Sequence, residues 1–173
     1  MSKHKVFVSF FHEDLSFKRR FVSQYENVFV DGSVDTGDIS DNLDDETIRR
    51  IIRDDYLRDS SVTIVLVGPK TKNRKHIDWE ISSSMRDTKL NPRAGVAVIL
   101  LPNHPDYGKD TYNNSNLPSR LAQNTKNGYV KVYDYPRYYD PNLITHMVNS
   151  AYKRKSENPP PNNSAPLRRK NTE

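Results

Sequence analysis

Three compact apolar blocks constrain this chain more than any other feature: VFVSFF at 6–11, SVTIVLV at 61–67 and GVAVILL at 95–101. Each is too short for a buried helix and almost continuously Val, Ile, Leu or Phe, as expected of strands covered on both faces of a parallel sheet. The segments between them carry helical spacing. Phe17, Phe21 and Tyr25 recur every four residues and predict a helix over 15–26, with Asp14 as its N-cap. Ile48, Ile51, Ile52 and Tyr56 form the stripe of a second helix, expected to open near Ser40 or Asp41, after a loop over 31–40. Ile77, Ile81, Ser84 and Met85 mark a third over 76–88. Val28–Val30 and Tyr129–Tyr133 read as short strands, Leu117–Ala122 as a helical turn and 141–152 as a last helix. Strands alternating with helices predict an α/β fold, with a mostly parallel five-stranded sheet flanked by helices.

Composition bounds the setting. The longest apolar run has seven residues, whereas a membrane-spanning helix needs roughly 20. The N-terminal residues lack the apolar stretch and small-residue cleavage site of a secretory signal, so a cytoplasmic location is expected. The absence of cysteine excludes disulfides, thiolate metal sites and cysteine nucleophiles. The net charge of +5 is concentrated at the C-terminus, where residues 151–173 hold +4 and the preceding chain only +1. That terminus also holds four of the eleven prolines and almost no apolar residue. Residues 1–152 are therefore expected to form the domain, and 153–173 a disordered basic tail whose removal leaves stability unchanged. Such a tail is a solubilising terminus or a contact for nucleic acid. The near-neutral remainder speaks against nucleic-acid binding.

In open α/β sheets ligands bind at the carboxyl ends of the strands, where strand order reverses. That rule selects Ser9–Asp14, the loop 31–40, Gly68–Asn73 and the loop after Leu101. Neither a GxGxxG after the first strand nor a P-loop is present. Ser9, Phe10, His12 and Asp14 stand together at the end of the first strand. Neighbours on one strand end cannot chain into a nucleophile, base and orienter, so the cluster makes a poor Ser/His/Asp triad. His12 and its acidic neighbours lack metal-ligand spacing, and no metal is expected. A substrate-lining loop and a plain helix cap with solvated His12 and Glu13 both remain. A phosphorelay receiver needs an aspartate ending the third strand, where this chain has Val67-Gly68-Pro69. On periodicity alone Glu80, beside the single tryptophan Trp79, is a solvated residue of an amphipathic helix.

The run VFVSFFHEDLSFKRRF, the Ser60-Ser61-Val62-Thr63 strand entry and the Thr71-Lys72-Asn73-Arg74 loop leading to Trp79-Glu80 resemble the TIR-like family that includes the TIR proteins of bacterial Thoeris antiphage systems. The similarity covers about 5–101. It implies a flavodoxin-like fold and cleavage of NAD, as substrate rather than cofactor, at the nicotinamide–ribose bond. The product would be a cyclic or conjugated ADP-ribose second messenger that switches on an effector protein. By this resemblance Glu80 matches the catalytic glutamate, Ser9 and Phe10 the floor of the nucleotide pocket, Asp14 its rim and Trp79 a neighbouring aromatic. His12 falls among these candidate substrate contacts. His76 stands where many TIR enzymes have Trp or Cys. A phage-derived trigger and homo-oligomerisation are further expectations, with no membrane partner. The rival reading is a non-enzymatic TIR-like module that assembles through the loop 31–40 or the sheet edge.

Overall fold

The computed structural model describes residues 3–33, 43–89 and 91–172. Strand β1 (Lys5–Ser9) leads through a 3₁₀ turn, His12–Asp14, into α1 (Leu15–Gln24) and the short strand β2 (Val30–Asp31). Helix α2 (Asp45–Ile51) continues as a π-helical turn, Ile52–Tyr56, before β3 (Val62–Val67). Then come α3 (Lys75–Met85), β4 (Gly95–Leu100), α4 (Ser119–Lys126), β5 (Val130–Asp134) and α5 (Pro141–Arg154). The five strands form one sheet in the order β2-β1-β3-β4-β5, and every pairing is parallel. This is the flavodoxin-like arrangement, whose order reverses between β1 and β3.

Strand alternation divides the core between the two faces. Val6, Val8, Phe10, Val62, Ile64, Leu66, Ala97 and Ile99 pack with Phe21 of α1, with Tyr25 at its C-cap and with Ile144, Met147 and Val148 of α5. Val65, Val67, Val96, Val98 and Leu100 face the other way, onto Ile77, Ile81 and Met85 of α3 and Leu121 of α4. Gly95 is required by α5, because a Cβ there would run into the carbonyl of Ala151. Among the described residues no helix is long and apolar enough to cross a membrane.

One helix start differs from expectation, and one expected cap makes no bond. Helix α2 begins at Asp45, capped by Asp44, whose carboxylate accepts from the Thr47 amide at 2.8 Å. That backbone hydrogen bond holds the Asp44 carboxyl below its ordinary range. Ser40 and Asp41, where the start was expected, lie outside the described residues. Asp14 occupies the N-cap position of α1, but its side chain makes no capping bond.

The expected domain boundary also moves. Arg154, assigned from composition to the tail, is a buried residue of α5, donating to the carbonyls of Tyr129 at 3.0 Å and Val96 at 3.3 Å. The segment expected to be disordered is laid along α3 and α4. Asn162 exchanges two hydrogen bonds with the buried Asn124, from backbone N–H to side chain and back, at 2.7 and 2.8 Å. The buried Arg120 donates to Asn163 Oδ1 and to the carbonyls of Ala165 and Pro166. The Trp79 indole donates to the carbonyl of Arg168 at 2.8 Å, and Leu167 packs against the Trp79 cluster. Polar composition foretold disorder because it counts apolar area, whereas this segment is held through its backbone polar groups.

Removing residues after Lys155 would strip these partners from Asp78, Trp79, Arg120 and Asn124. The expected cost is about 2–3 kcal/mol, a fall in melting temperature of about 5–10 °C for a domain this size. Thermal unfolding of the truncated chain checks it, and an unchanged midpoint would restore the composition-based boundary.

Candidate functional site

Helix α3 is the centre of the site because it is covered on nearly every side. His76, Ile77, Asp78, Trp79, Glu80 and Ile81 are all buried. Ile77 and Ile81 meet the sheet, Trp79 turns toward Ile48 and Ile52, and Asp78 meets Arg120 of α4. The Arg120–Asp78 pair is bidentate, at 2.9 and 3.3 Å, and Asp78 also accepts from the Arg168 amide at 2.8 Å. A buried pair of this kind is tolerable because the remaining polar atoms of both groups are satisfied.

Glu80 is therefore no solvated surface residue. It is only 4% exposed, and the Ser9 hydroxyl donates to its Oε2 at 2.5 Å. Ser9 ends β1 opposite Val65 of β3, so the contact lies at the switch point. One helical turn further on, Ser84 donates to the Glu80 carbonyl and shares a 2.7 Å hydrogen bond with Thr63 of β3. These two side-chain contacts, one turn apart on α3, seat that helix on the sheet and fix the carboxylate.

Asp14 closes the same end. Its carboxylate lies against Gly68, where a Cβ would collide with it, and accepts from Asn103 Nδ2 at 3.3 Å. Gly68 in turn donates its amide to Thr71 Oγ1, tightening the loop after β3. Burial pushes the Asp14 carboxyl above its ordinary range, against the opposing pull of the Asn103 hydrogen bond. Glu13 is exposed and paired with Lys70 at 3.1 Å.

Ser9, Asp14 and Glu80 thus share the carboxyl end of the sheet. The other sequence candidates do not join them. Phe10 alternates to the opposite face and is buried in the α1–α5 core, so it cannot floor a pocket beside Ser9. His12 is exposed, its ring packed on Phe11 at 4.3 Å between centroids. Trp79 belongs to the Ile48–Ile52 cluster and the C-terminal segment, a quarter-turn of helix away from Glu80. His76, one turn before Glu80, is buried with its ring 5.8 Å from that of Trp79. Asn103, Asp78 and Arg120 were missed by sequence reasoning, since only folding brings the loop after β4 and helix α4 to these partners. Most of the loop 31–40 lies outside the described residues. Among the described residues no three His, Asp or Glu side chains converge to hold a metal ion.

A family model described as Thoeris protein ThsB, TIR-like domain, matches residues 7–106, more than half of the chain. The chain belongs to the Thoeris ThsB TIR-like domain family. A comparison with curated proteins found no match. Family membership places the protein in antiphage defence. The matched span contains Ser9, Asp14, Gly68, Glu80 and Asn103, the whole of this chain's carboxyl-end cluster. The strap that covers α3 from residues 156–172 lies beyond it.

The Asp14 environment has a testable consequence. A carboxyl whose pKa is higher folded than unfolded stabilises the fold below its ordinary value of 3.8 and loses that contribution as pH rises through the folded value. Asp14→Asn keeps an oxygen to accept from Asn103 and removes the buried charge. Its melting temperature is expected to exceed that of the parent at pH 7, with the gain shrinking as pH falls toward 3.8. A gain independent of pH would mean that Asp14 is not the titrating group.

Proposed function

We propose that the protein cleaves NAD at the nicotinamide–ribose bond and turns the ADP-ribose portion into a cyclic or conjugated second messenger for an effector protein. The observation that carries this reading is the Glu80 carboxylate, held by the Ser9 hydroxyl at 2.5 Å at the switch point of a TIR-fold sheet. Nicotinamide is attached to ribose as a cationic pyridinium. When the C1′–N bond breaks, its electron pair leaves with nicotinamide, which departs neutral and needs no general acid. Positive charge is left on C1′ and the ring oxygen as an oxocarbenium ion. A single fixed carboxylate beneath that carbon supplies the stabilisation the reaction requires. Attack on C1′ by a nitrogen of the same molecule's adenine would give a cyclic product, attack by a second metabolite a conjugate, and attack by water free ADP-ribose.

The protein's own contribution is preorganisation. Helix α3 cannot rotate without breaking the Thr63–Ser84 contact, and the Glu80 side chain cannot swing without losing Ser9. Fixed charge in a site shielded from water acts more strongly than the same charge in solution. Asp14, at the rim, is placed to meet a polar part of the substrate such as a ribose hydroxyl.

Glu80→Gln tests this. The amide oxygen still accepts from Ser9, so the fold is expected to persist with a near-parental melting temperature. Nicotinamide release from NAD is expected to fall by about 10²–10³, the usual cost of removing one preorganised electrostatic group. NAD binding should change much less, because the charge is needed chiefly in the transition state. In cells the variant should accumulate normally and fail to protect against phage. Equal nicotinamide release by the folded variant and its parent would contradict the enzymatic reading and favour an assembly module.

A further inference from the structure

Arg74 opens α3, six residues before Glu80, and ends the Thr71–Asn73 3₁₀ turn. Its guanidinium carbon lies 4.3 Å from the centre of the Phe11 ring, a cation–π contact. Its Nε is buried and has no hydrogen-bond partner. Neighbouring cations are engaged: Lys70 pairs with Glu13 at 3.1 Å, and Lys72 donates to the Ser115 carbonyl at 3.3 Å. A buried guanidinium N–H without an acceptor is costly, which makes Arg74 a candidate for meeting an acceptor from outside the chain.

We infer that Arg74 is the anchor for the diphosphate of the dinucleotide, an inference that rests on the NAD-cleaving reading above. The Phe11 ring holds the guanidinium in place, and its terminal nitrogens can form the paired N–H···O bonds that phosphate oxygens accept. Phe11 is itself buried and follows Ser9 by two residues, so the platform is tied to the strand end that holds Glu80. Arg74 is the extended N-cap of α3 and Glu80 lies in the second turn of that helix. Glu80 is buried, whereas Arg74 is only partly buried. A dinucleotide entering nicotinamide end first would bring its ribose to Glu80 and leave its diphosphate beside Arg74. The inference also makes Arg74 the determinant that favours a dinucleotide over a bare nicotinamide riboside.

Steady-state nicotinamide release and binding of ADP-ribose, measured on the full chain, test this together. With Arg74→Ala the KM for NAD is expected to rise at least tenfold while kcat stays within about threefold, with Arg74→Lys falling between. With nicotinamide riboside, which carries no phosphate, kcat/KM should be the same in parent and variant. ADP-ribose binding, read by calorimetry in the Glu80→Gln background, should weaken at least tenfold when Arg74→Ala is added. This arm requires no turnover, so failure of the cleavage reading and failure of the Arg74 assignment are distinguishable. Unchanged KM and unchanged ADP-ribose affinity in a folded Arg74→Ala protein would overturn the assignment. So would an equal loss with nicotinamide riboside, which would mark Arg74 as a structural prop for α3, or a Glu80→Gln protein that does not bind ADP-ribose. Arg74→Gln, which retains most of the side-chain packing, replaces Arg74→Ala if the alanine variant unfolds.

Discussion

The hydrogen bond from Ser9 to Glu80 joins the end of the first strand to the helix that follows the third, and the site depends on it. A carboxylate only 4% exposed would be expensive to hold in place without a donor. Ser9 supplies one, and the Thr63–Ser84 contact one turn away keeps the helix from rolling. The opposite side of α3 is closed by the Asp78–Arg120 pair and by the C-terminal segment on Trp79. Sheet contacts set where Glu80 points, and the outer layer prevents the helix from lifting away.

This division explains why the family match and the complete structure have different extents. The matched residues 7–106 contain the strands and the helix that form the carboxyl-end cluster. Arg120 and residues 162–168 contribute no atom to that cluster, yet they satisfy the buried polar atoms on the far side of α3. Local chemistry and support for it are thus encoded in separate stretches of the chain.

Much of the fold was legible in the sequence. The apolar blocks became β1, β3 and β4, and Phe17, Phe21 and Tyr25 became the side of α1 and its C-cap that packs on the core. Even the failure at Phe10 was avoidable: a strand alternates, so Ser9 facing α3 sends Phe10 to the opposite layer. The burial of Glu80 and the order of the C-terminal segment were illegible for a shared reason. Periodicity assigns an outer face to every amphipathic helix, and nothing local to α3 shows that Ser9 will meet Glu80 or that α2, α4 and residues 162–168 will cover the rest of the helix. Likewise Asn162, Asn163 and Ala165 lack apolar area of any size. Their order comes from hydrogen bonds to Asn124, Arg120 and Ser82, pairings across 38 to 81 residues that composition cannot register.

The central claim is that Ser9 acts on the chemistry through Glu80 by holding its carboxylate. A double-mutant cycle on nicotinamide release from NAD, using Ser9→Ala and Glu80→Gln, measures that coupling directly. Ser9→Ala is expected to slow release by at least tenfold in the parent protein and to have almost no further effect in the Glu80→Gln background. Additive losses, with Ser9→Ala equally damaging in both backgrounds, would show that Ser9 serves the reaction independently and would contradict the account.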